Sequence, residues 1–457
     1  MRLDFLRPSS PPRVSSVSPF RIRRAACASA ALVALAGPRA GAQAKPDAAR
    51  ILRDIAYLAN PKLEGRLTGT VGNDSAAAYI AARVRSLGLT ALSTDTLRAQ
   101  CRSAPAPASC RTFIQRFTAR GAEMAHAGHP EGVPTQNVAA LIPGSDPALR
   151  GEYIVIGAHF DHLGHSTAGA LDPDAKGVIR NGADDNASGT AAVLELARLF
   201  AARPARRSII VASFSGEEEG LLGSQQFVEH APVALDSIDA MINFDMVGRL
   251  RNDKLIIYGV ATAAEMPAIL DSANTAPRLK VSAVGDGFGP SDHSSFYAKG
   301  IPVLHFFTDL HDDYHKASDV VDKINADGEA RVVAMAERVV RAIADRPARL
   351  TPVRVAAPVA AMGSREGSNV YFGSIPDMSN GDVPGMKLTG VRAGSPADAG
   401  GLAAGDIIVQ FGGVTVKDLY SYTDALYSHK VGDVVTVVFM RGSERKTTQV
   451  TLGKRGQ

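Results

Sequence analysis

The sequence contains no tryptophan and only three cysteines among its 457 residues. The lack of tryptophan supports no functional conclusion. The shortage of cysteine does, because none of the three lies in the polar motifs described below, which argues against a structural zinc finger. The remaining composition, 45% hydrophobic and 21% charged, is that of an ordinary soluble globular protein. The length predicts two or three domains.

The N-terminal region lacks a hydrophobic run long enough to span a membrane. Its apolar run, residues 25–37, follows Arg23 and Arg24 and precedes Ala-x-Ala sites within residues 40–44. This order of positive charge, short apolar core and small residues is typical of a secretory signal peptide, and the run is too short for a transmembrane helix. We therefore predict a signal peptide over residues 1–44, no membrane span, and an exported protein that is periplasmic or secreted.

A large excess of charge of one sign is also missing once this segment is set aside. Residues 1–44 hold seven arginines and one acid, so the formal charge falls from +4 for the whole chain to about −2 without them. Charge therefore gives no support for binding to nucleic acid or to anionic membranes.

The cysteines divide into one leader residue and one pair. Cys27 lies in the apolar core of the leader, whereas Cys101 and Cys110 bracket the short Pro/Ala segment CRSAPAPASC. In an exported protein a disulfide between this pair is favoured over two free thiols. Its expected role is to staple a surface loop.

Apolar runs alternate with helical patterns from residue 136 to about residue 345. The predicted strands lie within 138–144, 152–159, 208–215, 240–248, 255–260 and 301–308. The predicted helices between and after them lie within 190–203, 220–230, 265–276 and 329–345, and two more precede them within 49–59 and 74–89. Buried strands alternating with helices predict an α/β domain, residues 45–350, with a mostly parallel central sheet flanked by helices.

The pattern changes after residue 350. Residues 351–368 are rich in proline and alanine and are predicted to be a linker. Residues 369–457 contain short strands with Gly-rich turns and two short helical pieces, which predicts a second, small β-rich domain.

Five short motifs of the first domain carry residues that bind metals. They are GAHFDH (157–162), NGADDNASG (181–189), SGEEEGLLGS (215–224), INFDMVG (242–248) and DYHKASD (313–319). Three of them follow predicted strands, and ligand sites of parallel sheets lie beyond the carboxyl ends of the strands. Two imidazoles and three carboxylates suit a pair of zinc ions, because one carboxylate can bridge.

Each motif taken alone also has an ordinary structural explanation. His159 and Asp161 point to the same side of a strand end, so Asp161 can orient a metal-bound His159, but such pairs are mostly simple hydrogen bonds. Asp319 is a similar candidate partner for His315. One of Asp184 and Asp185 is expected to face the metals, although this segment also reads as a turn that caps a helix.

Adjacent glutamates can divide the work of a metal site. In Glu217-Glu218-Glu219 one carboxylate would coordinate while its neighbour takes a proton from the attacking water. The alternative is that these acids only complement a helix dipole. His162 and His293 are expected to support the site or to pack, and His165, His305 and His311 receive no assignment.

Together the motifs resemble the co-catalytic dizinc aminopeptidases of the MH peptidase clan. The resemblance covers about residues 50–345 and includes LEGRLTGTVGN (63–73) and GPSDHSSFYAKGIPVL (289–304). It implies an exported aminopeptidase with the fold of that group, which cleaves N-terminal residues from peptides by means of a water that bridges two Zn²⁺ ions.

The resemblance also implies a role for each site residue. His159 and Asp245 would bind one zinc, Glu218 and His315 the other, and Asp185 both. Three further residues would complete the catalytic set, with Glu217 as general base, Tyr314 as a phenol that stabilises the oxyanion, and Asp161 behind His159. The Asp185–Asn186 peptide resembles the cis bond of that group.

Residues 369–455 resemble a PDZ domain. VYFGS (370–374) is similar to its carboxylate-binding loop, and residues 390–413 and 420–442 to its core signature, helix and closing strand. The resemblance implies that peptide segments or protein C-termini bind there. Ser374 departs from the apolar residue usual at its position, which weakens the expectation of tight C-terminal binding, and a purely structural appendage is the alternative.

Two other functions remain open for the whole chain. A carboxypeptidase or a glutaminyl cyclase would use the same site, but the first needs a basic cluster that we do not find, and the second works with one metal. An inactive peptidase fold that presents the PDZ module is disfavoured because all five ligands and Glu217 are present. The native metal, the preferred N-terminal residue, the PDZ ligand and the oligomeric state do not follow from the sequence.

Overall fold

The computed structural model describes residues 44–94, 108–120, 129, 131–167, 169–172, 175, 177–275, 278–285, 287, 289–355, 370–376, 385–392, 394–417 and 419–454. The predicted signal peptide, apart from its last residue, lies outside the described residues, as do Cys27 and Cys101. Cys110 is described, is buried and forms a disulfide. Within the described part of the chain, no helix has the length and hydropathy needed to cross a bilayer.

The first domain is built on a mixed β-sheet. Its strands, in chain order, are β1 (Thr90–Ala91), β2 (Ser93–Thr94), β3 (Arg111–Thr112), β4 (Ile114–Ala119), β5 (Val133–Ile142), β6 (Tyr153–His159), β7 (Ser208–Phe214), β8 (Ile238–Phe244), β9 (Lys254–Tyr258), β10 (Lys280–Ala283) and β11 (Val303–Phe307). β2 and β3 pair separately. Among the described residues the other nine form one sheet in the order β1-β5-β7-β6-β8-β11-β9-β10, with β4 also paired to β5.

The centre of the sheet is parallel and buried. β6 pairs in parallel with both β7 and β8, and β11 pairs in parallel with β8. Every residue of β7, β8 and β11 is buried, as expected for apolar strands covered on both faces. Because parallel strands end at the same edge, the sheet brings the ends of β6, β7 and β8 together. The predicted mostly parallel α/β fold is confirmed.

Helices cover both faces of this sheet. They are α1 (Ala48–Leu58), α2 (Val71–Ser86), α3 (Gly189–Ala202), α4 (Leu222–Glu229), α5 (Met266–Ala273), α6 (His293–Ala298) and α7 (Ala326–Ala344). Side chains alternate along β6, so Ile154 and Ile156 join the apolar cluster that also holds α1, α2, α3, α5 and α7. Val155 joins the cluster on the opposite face, with α4 and α6.

Several regular elements lie where the sequence patterns were weak. β4 and the start of β5 fall within residues 91–135, to which the sequence analysis assigned no strand or helix. β10 is a four-residue, mostly exposed strand, and α6 has only six residues, among them His293 and two serines. Such short or polar segments carry too few periodic positions to distinguish them from loops.

The first residues of the predicted linker are held on this domain. Thr351 O accepts a hydrogen bond from Ala264 N (3.0 Å), and Val353 N donates to Thr262 O (2.8 Å). The Tyr297 hydroxyl donates to Val355 O (3.1 Å) and accepts from Val355 N (3.0 Å). The backbone is therefore anchored as far as Val355.

The second domain is β-rich, as predicted. Its strands are β12 (Val370–Tyr371), β13 (Ser374–Pro376), β14 (Met386–Val391), β15 (Ile407–Phe411), β16 (Val414–Thr415), β17 (Val434–Arg441), β18 (Glu444–Thr451) and β19 (Gly453–Lys454), and its helices are α8 (Pro396–Ala399) and α9 (Leu419–Tyr427). Phe372, Phe411 and Tyr422 meet in its separate apolar core.

Candidate active site

His159 is the last residue of β6 and is buried at the carboxyl edge of the sheet. Asp161 follows two residues later, and its Oδ1 lies 3.6 Å from His159 Nδ1, slightly beyond hydrogen-bond length. Its other oxygen, Oδ2, accepts from Glu218 N (3.3 Å) and from Thr68 Oγ1 (3.4 Å). The structure thus places Asp161 behind His159 and ties it to the segment that carries Glu218.

Asp185 lies between two imidazoles. Its Oδ1 is 3.4 Å from His159 Nε2, and its Oδ2 is 3.2 Å from His315 Nε2. The peptide bond between Asp185 and Asn186 is cis. One carboxylate therefore offers a separate oxygen to each of two neighbouring groups of donors.

The first group contains His159, Asp185 and Asp245. Asp245 directly follows β8, and its Oδ1 lies 3.5 Å from His159 Nε2. Ser291 Oγ donates to Asp245 Oδ2 (2.8 Å), whereas Oδ1 is buried without a hydrogen-bond partner among the described residues. A buried carboxylate oxygen of this kind is the type of atom that a cation satisfies.

The second group joins Asp185 and Glu218 to two histidines. Glu218 Oε2 is 3.2 Å from His315 Nε2, and its Oε1 is 2.6 Å from His162 Nδ1. His315 Nδ1 lies 2.9 Å from Gly169 O, an acceptor, so Nδ1 carries the proton and Nε2 is left to face the carboxylates. His315 therefore directs Nε2, the nitrogen through which it would bind a metal, toward the carboxylates.

The structure corrects the expected role of one supporting residue and defines the open role of another. Asp319 does not orient His315. It accepts hydrogen bonds from Asp184 N (2.9 Å), Asp185 N (3.1 Å) and Arg249 Nη2 (2.7 Å), so that expectation is wrong. His162, whose role the sequence left open, contacts Glu218 directly.

Asn186 joins the loop of Asp185 to the end of β8. Its Nδ2 donates to Phe244 O (2.9 Å), and its Oδ1 accepts from Met246 N (3.2 Å). Asp184 completes this link, because its Oδ1 accepts from Gly248 N (2.7 Å) and its Oδ2 lies 3.1 Å from His311 Nε2. Of the two candidate acids, Asp184 supports the backbone and Asp185 faces the imidazoles.

Glu217 and Tyr314 line the same small cavity, of about 50 Å³, as His159, Asp185, Asp245 and His315. Glu217 Oε2 is 3.9 Å from His159 Nε2. The Tyr314 ring stacks on His315 with centroids 3.9 Å apart. The cavity has room for a few water-sized groups.

Burial and the crowding of charge shift the titration of these groups. Burial lowers the pKa of His159, but the carboxylates of Glu217 and Asp245 outweigh it and hold that pKa well above its usual range. Burial raises the pKa of Glu217 well above its usual range, against the opposing charge of His159. Burial, reinforced by the charge of Asp185, also raises the pKa of Tyr314, so the phenol is protonated at neutral pH.

The residues present fit a pair of zinc ions. Nitrogen and carboxylate oxygen donors from distant parts of the chain converge, and Asp185 serves both groups. Several carboxylates in one buried pocket repel one another, and divalent cations would offset that repulsion. Asp245 Oδ1, which has no hydrogen-bond partner among the described residues, is an oxygen that such a cation would satisfy.

Several neighbours of the site were not assigned from the sequence. Besides Ser291, Arg249 and His311, they include His305, which lines the cavity and stacks on His293 with centroids 4.4 Å apart. Burial lowers the pKa of His305 to about 3, so the imidazole is neutral. Asn243 Nδ2 donates to its Nδ1 (3.1 Å). These residues come from segments with no distinctive spacing, and only the fold brings them to the site.

Comparison with family models agrees with this site. Residues 137–340 match peptidase family M28, and residues 366–452 match a PDZ domain. The chain thus contains a metallopeptidase domain of the MH clan of zinc aminopeptidases. More specifically, it contains an M28 peptidase domain and, C-terminal to it, a PDZ domain, which confirms both resemblances.

Curated relatives match over the peptidase region. A probable zinc metalloprotease of Pyrenophora teres f. teres is 33% identical over 163 residues, which are 34% of this chain and 32% of that protein. Aminopeptidase YwaD of Bacillus subtilis is 30% identical over 154 residues (32% and 34%). Leupeptin-inactivating enzyme 1 of Streptomyces exfoliatus is 31% identical over 215 residues (46% and 42%). The chain spans about a third to two fifths of the length of these relatives.

Solved structures support the fold. A leucine aminopeptidase precursor from Bacteroides thetaiotaomicron has a TM-score of 0.51 at 16% identity, covering 65% of this chain and 98% of that one. A Zn-dependent exopeptidase from Parabacteroides distasonis has a TM-score of 0.51 at 17% identity, covering 66% and 99%. At this identity the likeness concerns the fold alone.

Proposed function

We propose that the protein is a zinc-dependent aminopeptidase that removes N-terminal residues from peptides. The observation that carries the proposal is the position of Asp185, whose two oxygens face His159 and His315 at 3.4 and 3.2 Å. A carboxylate shared in this way is suited to two adjacent cations. The M28 match and the aminopeptidases among the relatives agree with this activity.

The donor groups indicate which residues would hold each ion. We assign His159 and Asp245 to one zinc, His315 and Glu218 to the other, and Asp185 to both. His162 contacts the Glu218 oxygen that faces away from His315, so we assign it to orienting Glu218. When bound, the zinc ions would polarise the scissile carbonyl and lower the pKa of a coordinated water.

The protein's own groups then divide the remaining chemistry. Glu217 takes the proton of the attacking water and later returns it to the leaving amine, because it lines the cavity and its Oε2 lies 3.9 Å from Nε2 of the proposed ligand His159. The Tyr314 phenol donates a hydrogen bond to the carbonyl oxygen as negative charge develops there. Carboxylates of the pocket would hold the positively charged α-amine of the substrate.

Chelation tests the activity directly. Hydrolysis of aminoacyl amides should disappear after treatment with a chelator and return on addition of zinc, while N-blocked peptides should not be cleaved. The measurement is the rate of amine release across a panel of free and blocked substrates. Activity that survives thorough chelation would refute zinc dependence, and cleavage of blocked peptides alone would refute the aminopeptidase assignment.

We propose that the PDZ domain binds peptide segments and that its affinity for free C-termini is modest. Ser374, at the start of β13, lies with its Oγ 2.7 Å from the hydroxyl of Tyr422 on α9, so a polar contact stands where an apolar residue is usual. We expect free-acid peptides with large apolar C-terminal residues to bind more tightly to Ser374→Leu than to the wild-type protein, as measured by fluorescence polarisation. Equal affinity would show that Ser374 does not limit binding.

Export is proposed from the leader and is supported by the disulfide at Cys110, since disulfides persist mainly in oxidising compartments. Sequencing the N terminus of the mature protein tests this. A mature chain beginning near residue 45 is expected, and a chain that retains residues 1–44 inside the cell would contradict export.

A further inference from the structure

Arg66 is fully buried and takes no part in the chemistry described above. It ends a short helical turn, Pro61–Arg66, in which Glu64, Gly65 and Arg66 all have positive φ, with values of 47°, 70° and 58°. For a residue other than glycine this left-handed conformation is strained. A non-glycine residue held there by its surroundings is a reason to ask what its side chain does.

Gly65 explains how the turn reaches this position. A Cβ at Gly65 would lie 2.1 Å from Arg180 O and 2.6 Å from Gly164 Cα. The turn is therefore pressed against the loops that follow β6. This close approach places the Arg66 side chain next to the end of β6 and the loop before Asp185.

The guanidinium group of Arg66 is surrounded by backbone carbonyls. Nε donates to Phe160 O (2.6 Å), Nη1 to Leu58 O (2.6 Å) and Asn181 O (2.7 Å), and Nη2 to Gly182 O (3.0 Å). None of these acceptors is a carboxylate, although buried arginines usually pair with one. Burial lowers the pKa of Arg66 to about 10, so it is still a cation at neutral pH.

Three of the four carbonyls belong to the two segments that carry the proposed zinc ligands, and the fourth, Leu58 O, ends α1. Phe160 lies between His159 and Asp161 at the end of β6. Asn181 and Gly182 lead into the loop of Asp185. These segments are more than 20 residues apart in the chain, and one planar group holds both.

We propose that Arg66 is a positioning residue that clamps the end of β6 to the loop before Asp185 and thereby sets the spacing of His159 and Asp185 for metal binding. The inference rests on the proposed zinc site. Only the fixed fork of a guanidinium can span these carbonyls, because a lysine ammonium is a compact charge without that planar geometry. Residues that orient metal ligands from behind typically change metal affinity by roughly 10–100-fold when replaced.

Arg66→Lys is the test variant, since it keeps the charge and loses the fork. Arg207→Lys is the matched control. Arg207 is also fully buried and also donates to a backbone carbonyl, that of Arg346, and it pairs in addition with Glu152 (2.7 Å). It lies just before β7, at the end of the strand opposite the site. Zinc dissociation constants of the full-length proteins are measured by competition with a chromogenic chelator, and the visible absorption of the Co²⁺-substituted proteins reports ligand geometry without catalysis.

We expect Arg66→Lys to weaken zinc binding by about 10–100-fold and to alter the Co²⁺ spectrum, whereas Arg207→Lys lowers only thermal stability. If Arg66→Lys and Arg207→Lys had the same zinc dissociation constant and the same Co²⁺ absorption spectrum, the proposed role of Arg66 would be overturned. Failure of Arg66→Lys to fold even in excess zinc, while Arg207→Lys folds, would assign Arg66 to folding and would also overturn it. If the wild-type protein itself binds no zinc, the proposed function fails instead, so the two failures are distinguishable.

Discussion

Glu217→Gln should lower kcat by roughly 10²–10⁴-fold, the usual contribution of a general base. Glutamine has nearly the same shape but cannot accept a proton from water. Glu217 lines the cavity and is not among our proposed ligands, so we expect zinc content and KM to change little. Steady-state kinetics, with metal analysis of the same samples, checks both expectations.

Glu219→Gln is the matched control for this experiment. Burial, together with the nearby charge of Asp161, raises the pKa of Glu219 to about 8, so its carboxyl group is mostly neutral at pH 7 and an amide replaces it with little electrostatic change. Activity near that of the wild type is therefore expected. If Glu217→Gln were as active as Glu219→Gln, the role of general base would have to move to another group.

Asp185→Asn should reduce hydrolysis to the level of the zinc-free protein. The substitution turns one of the two oxygens that face His159 and His315 into an amide NH₂, which cannot coordinate a cation. Under our assignment one ion loses its Asp185 ligand atom and the other keeps only a neutral carbonyl oxygen in place of a carboxylate, so zinc bound per chain should fall together with activity. Metal analysis after gel filtration measures this.

Asp184→Asn provides the comparison, because it makes the same change one residue away. Asp184 accepts a hydrogen bond from Gly248 N and faces His311, so its loss should cost about 1–3 kcal/mol of unfolding free energy. Bound zinc should largely remain. Retention of two zinc ions by Asp185→Asn would contradict the assignment of Asp185 to both ions. Loss of zinc in Asp184→Asn alone would assign that role to Asp184 instead.

The sequence predicted the parts of this protein that depend on local pattern. Strands β6, β7 and β8 were recognisable because their mainly apolar runs alternate with helical segments. Their ends placed His159, Glu217 and Asp245 at one edge of the sheet. The structure brings the side chains of these segments together, although the assignment of each to a metal or to catalysis is still a prediction.

Backbone conformation and long-range contacts explain which side-chain positions could not be predicted from the sequence. His315 has a φ of 53°, a left-handed conformation that the sequence does not reveal, and its ring contacts Gly169 O instead of Asp319. His162 comes after the end of β6, so the alternation of side chains along a strand no longer predicts its direction. Three of the four carbonyls that Arg66 contacts are 94 to 116 residues away in the chain, a separation at which sequence spacing carries no information.

The shared carboxylate of Asp185 has a thermodynamic consequence for loading with zinc. An ion that takes one oxygen also restrains the orientation of the other, so under the proposed assignment occupancy of one position alters the affinity of its neighbour. Reciprocity requires the effect to be the same in either direction, whichever ion arrives first. A calorimetric titration of the metal-free protein should then deviate from the isotherm of two independent sites.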